Sequence, residues 1–134
     1  MTINPGLIMG PAFVDAGFSS GDIMIKLMNN EYPGMPLIMF PLVDVRETAI
    51  AHLLAIQKPE VANQRFCLVN RCLWFREVAT ALKTEFDPQG YKINNKEMNL
   101  SDCTLMMLGW FIKELALVRP SWNKTIQVEN TKSV

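Results

Sequence analysis

Apolar positions fall into short runs and spaced stripes, separated by Pro, Gly and Asn clusters, so the chain reads as strands and helices in alternation. Thr2 to Pro5 forms a short strand that stops at the Pro5-Gly6 breaker. An apolar strand so near the chain start must find neighbours for its backbone groups, so Thr2–Pro5 is expected to pair elsewhere. Leu7 to Ser20 carries Gly10, Pro11 and Gly17 and is expected to be an ordered loop. Ser19-Ser20-Gly21-Asp22 can cap a helix over Ile23 to about Asn29, because Ser and Asp oxygens accept from the first unpaired N–H groups. Pro33, Gly34 and Pro36 mark a second loop.

Leu37 to Val43 has strand character, and Pro41, having no N–H to donate, predicts an edge or a short strand. Asp44 is a natural N-cap for the next helix, in which Val45, Ala49, Leu53 and Ile56 define one apolar stripe expected to pack inward. Pro59 ends it. Gln64 to Val69 is a strand followed by a turn at Asn70-Arg71. Trp74, Val78, Leu82 and Phe86 then form the stripe of another helix, closed by Asp87-Pro88-Gln89-Gly90. Ser101-Asp102 is placed to cap an apolar helix running to about Val118, ahead of Arg119-Pro120. Lys124 to Glu129 is expected to be a last short strand. The alternation places the chain in the α/β class.

Composition narrows the partners. Apolar residues make up 49% and charged residues 19% of 134 residues, which excludes intrinsic disorder. Thirteen basic side chains balance thirteen acidic ones. With no basic excess to neutralise phosphates or anionic lipid, neither nucleic acid nor a membrane surface is an expected partner. The apolar runs are shorter than the about 20 residues that span a bilayer, and Met1 to Gly6 lacks the basic region of a signal peptide. A cytoplasmic location is expected. The three cysteines, Cys67, Cys72 and Cys103, have no CxxC spacing and the chain holds one histidine. A Cys/His metal site is therefore not expected, and the thiols read as reduced and packed.

Catalytic signatures are sparse. The sequence contains no Gly-rich strand–turn–helix fingerprint, no GxSxG elbow and no HExxH. His52 is the one imidazole, and its place beside Leu53 favours a helix-edge role over a catalytic one. Asp44 and Arg46 are the charged pair in an apolar segment. They read first as structural, Asp44 capping the helix and Arg46 holding a neighbouring loop; the other reading has Arg46 facing an anionic or carbonyl ligand. The nine methionines fill a core or line an adaptable pocket.

One family resemblance covers nearly the whole chain. Asn4-Pro5-Gly6-Leu7-Ile8-Met9-Gly10-Pro11 resembles the NPGLVLGP segment of the extended short-chain dehydrogenases/reductases, in the epimerase/dehydratase superfamily. The resembling branch holds dihydroflavonol, cinnamoyl-CoA and aldehyde reductases. Val43-Asp44-Val45-Arg46-Glu47-Thr48-Ala49, with Ala51-His52-Leu53, is similar to that branch's VDVRDVAxAHL. Gln64-Arg65-Phe66-Cys67-Leu68 resembles its GxRY strand, Trp74-Phe75-Arg76-Glu77-Val78-Ala79 the helix after it, and Asn130-Thr131-Lys132-Ser133 the opening of its last helix. Glu47 departs from the branch's usual Asp.

The resemblance implies an α/β chain that is the C-terminal, substrate-domain portion of a Rossmann-type reductase, 1–134 forming a single partial domain without the cofactor-binding half. It implies NAD or NADP as cofactor and a small aldehyde or ketone as substrate, reduced to an alcohol. Pro5, Gly6 and Leu7 correspond to cofactor contacts. Asn4, Met9, Phe13 and Phe18 correspond to substrate contacts, while Asp44 and Arg46 keep the structural reading given above. The family's Gly-rich loop and its Ser, Tyr and Lys lie upstream of the NPG segment, so the chain is expected to be inactive alone. A separate N-terminal half is an implied partner. The alternative is a non-catalytic interaction module that keeps the substrate-domain fold.

Overall fold

The Pro5-Gly6 breaker divides one extended run into two strands that pair with different neighbours. The molecule, described by a computed structural model over residues 1–12, 19–99, 101, 104 and 119–130, runs β1 (Thr2–Pro5), β2 (Leu7–Met9), α1 (Ser19–Met28), β3 (Met39–Asp44), α2 (Val45–Gln57), β4 (Arg65–Leu68), β5 (Arg71–Trp74) and α3 (Phe75–Phe86). Single 3-10 turns lie at Pro59–Val61, Asp87–Gln89 and Arg119–Ser121. The contacts divide the chain into two compact units.

The first unit gathers Met1–Ile23, Phe40–Leu73 and Ile126–Val134. In it β1 and β4 form a parallel pair with Thr2 opposite Arg65 and Pro5 opposite Leu68. The Gly6 N–H still donates to the Leu68 carbonyl at 3.0 Å, and one residue later the chain changes partner. Leu7, Ile8 and Met9 pair in parallel with Leu42, Val43 and Asp44, and β3 lies between β2 and β5 in a three-stranded sheet. The expected loop after Gly6 thus begins as β2, too short to carry a periodic signal. The expected edge strand lies in the middle of its sheet. Pro41 is tolerated there because the β2–β3 ladder starts only at Leu42, so no hydrogen bond from position 41 is required on that side.

α2 faces inward with a different stripe from the one its large apolar residues define. Thr48 is its buried residue, with Val45, Ala51 and Ala55 half-buried, while Leu53 and Ile56 stand 55% and 84% exposed. Small side chains line the packed face, and they let the helix approach closely while contributing little to a hydrophobicity pattern. Among the described residues, Val43 and Val69 are the buried apolar residues of this unit.

The second unit gathers Met24–Met39 and Trp74–Thr125. α3 begins where the Trp74 N–H donates to Glu77 Oε2 at 2.7 Å, the acidic half of a capping arrangement. Its expected stripe is realised with a shift: Phe75, Val78 and Ala79 are buried, Leu82 and Phe86 half-buried. Leu27, Met35, Ile38, Ile93 and Trp122 complete the core, and the Tyr32 ring meets Phe75 edge-on at 5.3 Å. The Asn30 side chain donates to the Lys92 carbonyl and accepts from the Asn94 N–H at 2.7 Å. Met35 exchanges backbone hydrogen bonds with Lys96 and Met98.

Lys124 to Glu129 carries no strand ladder. The expected helix to Val118 lies almost wholly outside the described residues, as do Thr131, Lys132 and Ser133.

Candidate functional site

Parallel strands β2 and β3 end side by side at Met9 and Asp44, and ligand crevices in open parallel sheets lie at such carboxyl ends. A cleft of about 420 Å³ opens there, lined by Met9, Gly10, Asp44, Glu47, Asn70 and Arg71. Three segments build it: the end of β2, the β3–α2 junction, and the turn between β4 and β5.

Gly10 has φ +148, a backbone conformation that L side chains rarely adopt, and a Cβ there would sit 3.3 Å from the Val45 Cβ. The tight turn lets the chain leave β2 against the first turn of α2. Asp44 starts that helix. Its Oδ1 accepts from the Arg46 N–H at 2.7 Å and from Arg46 Nε at 2.9 Å, and Oδ2 pairs with Arg46 Nη2 at 2.6 Å. The Arg46 side chain and its N–H, both donating to this carboxylate, hold the Asp44 pKa down to about 2. The same partner raises that of Arg46. Arg46 therefore folds back onto its own cap, where the sequence suggested a tie to a neighbouring loop.

Glu47 accepts from Asn70 Nδ2 at 3.4 Å, and the Asn70 N–H donates to the Leu42 carbonyl at 2.8 Å, which fixes the β4–β5 turn against β3. Glu47, Asn70 and Arg71 join the cleft without having been singled out as binding residues. Their one sequence signal is the turn at Asn70-Arg71, and it does not say what the turn faces.

Of the residues assigned by resemblance, the structure brings Met9 and Asp44 together as register partners at the cleft. Leu7 is half-buried opposite Leu42, which also lines the cleft. Asn4 and Pro5 are exposed at the end of β1. Gly6 packs onto β3, where a Cβ would collide with the Pro41 carbonyl. Phe13 and Phe18 lie outside the described residues. Gly6 and Gly10 are thus filled from behind by this chain's own Pro41 and Val45, and neither opens a cradle for a phosphate.

His52 does not join the cleft. Its Nδ1 lies 2.7 Å from the Thr48 carbonyl, which can only accept, so Nδ1 carries the hydrogen. The ring borders a separate shallow hollow with Met1, Ile3, Ala55 and Ile56. Cys67 and Cys72 are half-buried on β4 and β5. Among the described residues no cluster of His, Cys, Asp and Glu is placed to hold a metal ion, and no helix is long and apolar enough to cross a membrane. The cleft supplies an apolar wall, amide and carboxylate acceptors and one guanidinium. Among its lining residues is no imidazole, phenol or thiol to give or take a proton.

No family model matches the sequence. An oxidoreductase of Saccharomyces cerevisiae is 37% identical over 108 residues, which cover 72% of this chain and 29% of the relative. A cinnamoyl-CoA reductase of Medicago truncatula is 32% identical over 83 residues, 62% of this chain and 25% of the relative. Among solved structures, the yeast methylglyoxal/isovaleraldehyde reductase complexed with NADPH matches 98% of this chain and 38% of its own, with a TM-score of 0.60 at 21% identity, a likeness of fold. The chain thus spans about a quarter to a third of the length of the curated relatives it matches.

Proposed function

Since the chain belongs to the extended short-chain dehydrogenase/reductase family, we propose that it forms the substrate side of an NAD(P)-dependent reductase that converts a small aldehyde or ketone to an alcohol. The observation that carries this reading is the 37% identity with the yeast oxidoreductase over most of the chain. The cleft at the carboxyl ends of β2 and β3 supports it, because that is where a parallel sheet presents residues to a ligand. In this reading Pro5, Gly6 and Leu7 flank the nicotinamide ring, while Asn4, Met9, Phe13 and Phe18 face the substrate. Asp44 and Arg46 fix the start of α2 and so the floor of the cleft. A bound nicotinamide cofactor supplies the hydride. The residues of this chain orient the carbonyl compound and exclude water from one side.

Among the described residues, those lining the cleft supply neither the proton that the new alkoxide needs nor a phosphate cradle. In this reading the 134 residues are inactive alone, and a polypeptide segment carrying the Gly-rich loop and the Ser, Tyr and Lys set completes the site. The test is to assay the isolated chain with NADPH and a panel of small aldehydes, then to repeat the assay after co-expression with the part of the Saccharomyces cerevisiae oxidoreductase that it does not span. No turnover alone and turnover in the pair, with KM raised by Met9→Ala, are expected. Turnover by the isolated chain overturns the division of labour, and a silent pair overturns the reductase reading.

A second reading, a non-catalytic interaction module, draws on one observation: the outer face of α2 is apolar and exposed. A ligand-free chain that unfolds cooperatively and shows no activity in any pairing would favour it.

A further inference from the structure

Glu77, Thr80 and Thr84 recur at i, i+3 and i+7 along α3, on the side away from the buried Phe75, Val78 and Ala79. Together with Trp74, Arg76 and Glu97 they line a pocket of about 480 Å³ within the second unit. Two ties fix the segment that faces the helix. Arg76 Nη1 pairs with Glu97 Oε1 at 2.6 Å, and Asn95 Nδ2 donates to Thr80 Oγ1 at 3.3 Å. Met35 holds the same segment through backbone hydrogen bonds with Lys96 and Met98. The volume is that of a small-molecule site, and the pocket shares no residue with the cleft at Met9 and Asp44.

The hydrogen bonds already made decide what the pocket can offer. Thr80 Oγ1 donates to the Arg76 carbonyl at 2.8 Å, and Thr84 Oγ1 to the Thr80 carbonyl at 2.9 Å. Each hydroxyl has thereby used its one hydrogen and has lone pairs left to present. Glu77 Oε2 accepts from the Trp74 N–H at 2.7 Å, while Glu77 Oε1 and Glu97 Oε2 accept no hydrogen bond among the described residues. Two lining side chains can donate, the Trp74 indole and Arg76, and Arg76 is already turned to Glu97. Two carboxylates against one guanidinium leave a negative charge. The complement of this set is a cation that only donates and carries an apolar stem. An ammonium has three hydrogens and no acceptor, and an indole face attracts it further. We propose that the pocket binds a small free primary amine in its ammonium form, its alkyl stem against Trp74 and its hydrogens on the Glu77 and Thr84 oxygens. An alcohol lacks the charge, and an anion is repelled.

Titration of the full chain with n-butylammonium, followed by NMR at the backbone amides of α3 and of Asn95 to Glu97, tests this. Saturable shifts at these amides with a Kd on the order of millimolar are expected. 1-Butanol, of the same size without charge, and tetramethylammonium, of the same charge without donors, should each bind at least about tenfold more weakly. Glu77→Gln keeps an oxygen for the Trp74 N–H, removes the charge, and should weaken butylammonium about fivefold. Thr84→Val, further along the helix, removes an acceptor without touching the start of α3 and should weaken it as well. Glu85→Gln removes a charge from the same helix outside the pocket and should leave it unchanged. Equal binding of 1-butanol, no loss with either Glu77→Gln or Thr84→Val, or an equal loss with Glu85→Gln overturns the proposal. Tighter binding of a lysine blocked at both backbone ends puts the ammonium on a protein side chain and overturns the free amine. None of these readouts depends on reductase activity.

Discussion

Gly6 and Pro41 approach so closely that no Cβ fits between them: built on Gly6, it would overlap the Pro41 carbonyl oxygen and lie 2.9 Å from the carbonyl carbon. The obstacle is backbone of the middle strand, which cannot swing away as a side chain can. Gly6 is required here for its lack of volume. Gly6→Ala is expected to lower stability by about 1–3 kcal/mol through overpacking. A fall in the urea midpoint with an unchanged slope checks it.

Gly10 and Gly90 separate two kinds of glycine requirement. Both have positive φ, +148 and +99, but Val45 crowds the first and nothing lies within 4 Å of the second. Gly90→Ala is expected to cost about 1–2 kcal/mol, the conformational penalty alone. Gly10→Ala adds a collision with Val45 and should cost more, read as a larger drop in the thermal midpoint.

Phe75 anchors the second unit, 2% exposed and met edge-on by Tyr32. Phe75→Ala is expected to cost about 3–5 kcal/mol. The neighbouring Trp74 should report the opened packing as a red shift in its fluorescence.

Acid should unfold the chain partly through Asp44. Its pKa of about 2, set by hydrogen bonds from Arg46, lies below the about 3.9 of an unfolded aspartate. A depressed folded value means the contribution is fully present above the unfolded value and is lost as pH falls through about 2. Asp87 acts in the same direction, lowered by Lys83 and the Ile93 N–H. Asp44→Asn is expected to reduce the pH dependence below pH about 4, and a double change at Asp44 and Asp87 to reduce it further. Urea titrations at a series of acidic pH values check the slope.

The parts legible in the sequence are those where one local pattern decides the outcome. Asp44 before an apolar run specifies a capped helix, and the spacing from Phe75 to Phe86 specifies another whichever way they pack. The inner face of α2 was not legible, because Thr48, Ala51 and Ala55 pack by being small and hydrophobicity marks Leu53 and Ile56 instead. β2 and β5, of three and four residues, are too short to show alternation. They exist because β3 supplies a ladder. At the cleft, Met9 and Asp44 could be named from their motif. Glu47, Asn70 and Arg71 could not, because their convergence depends on the β4–β5 turn reaching the end of β3.

The pairing of Thr2 with Arg65 and Pro5 with Leu68 also sets a timetable for synthesis. β1 leaves the ribosome well before its partner β4, and until Leu68 has emerged it cannot form this ladder. Contacts so distant in sequence slow folding and leave an apolar segment open to misassociation in the interval. A chain released before Arg65 cannot form this pair however long it is given. One ended just after the β4–β5 turn already can.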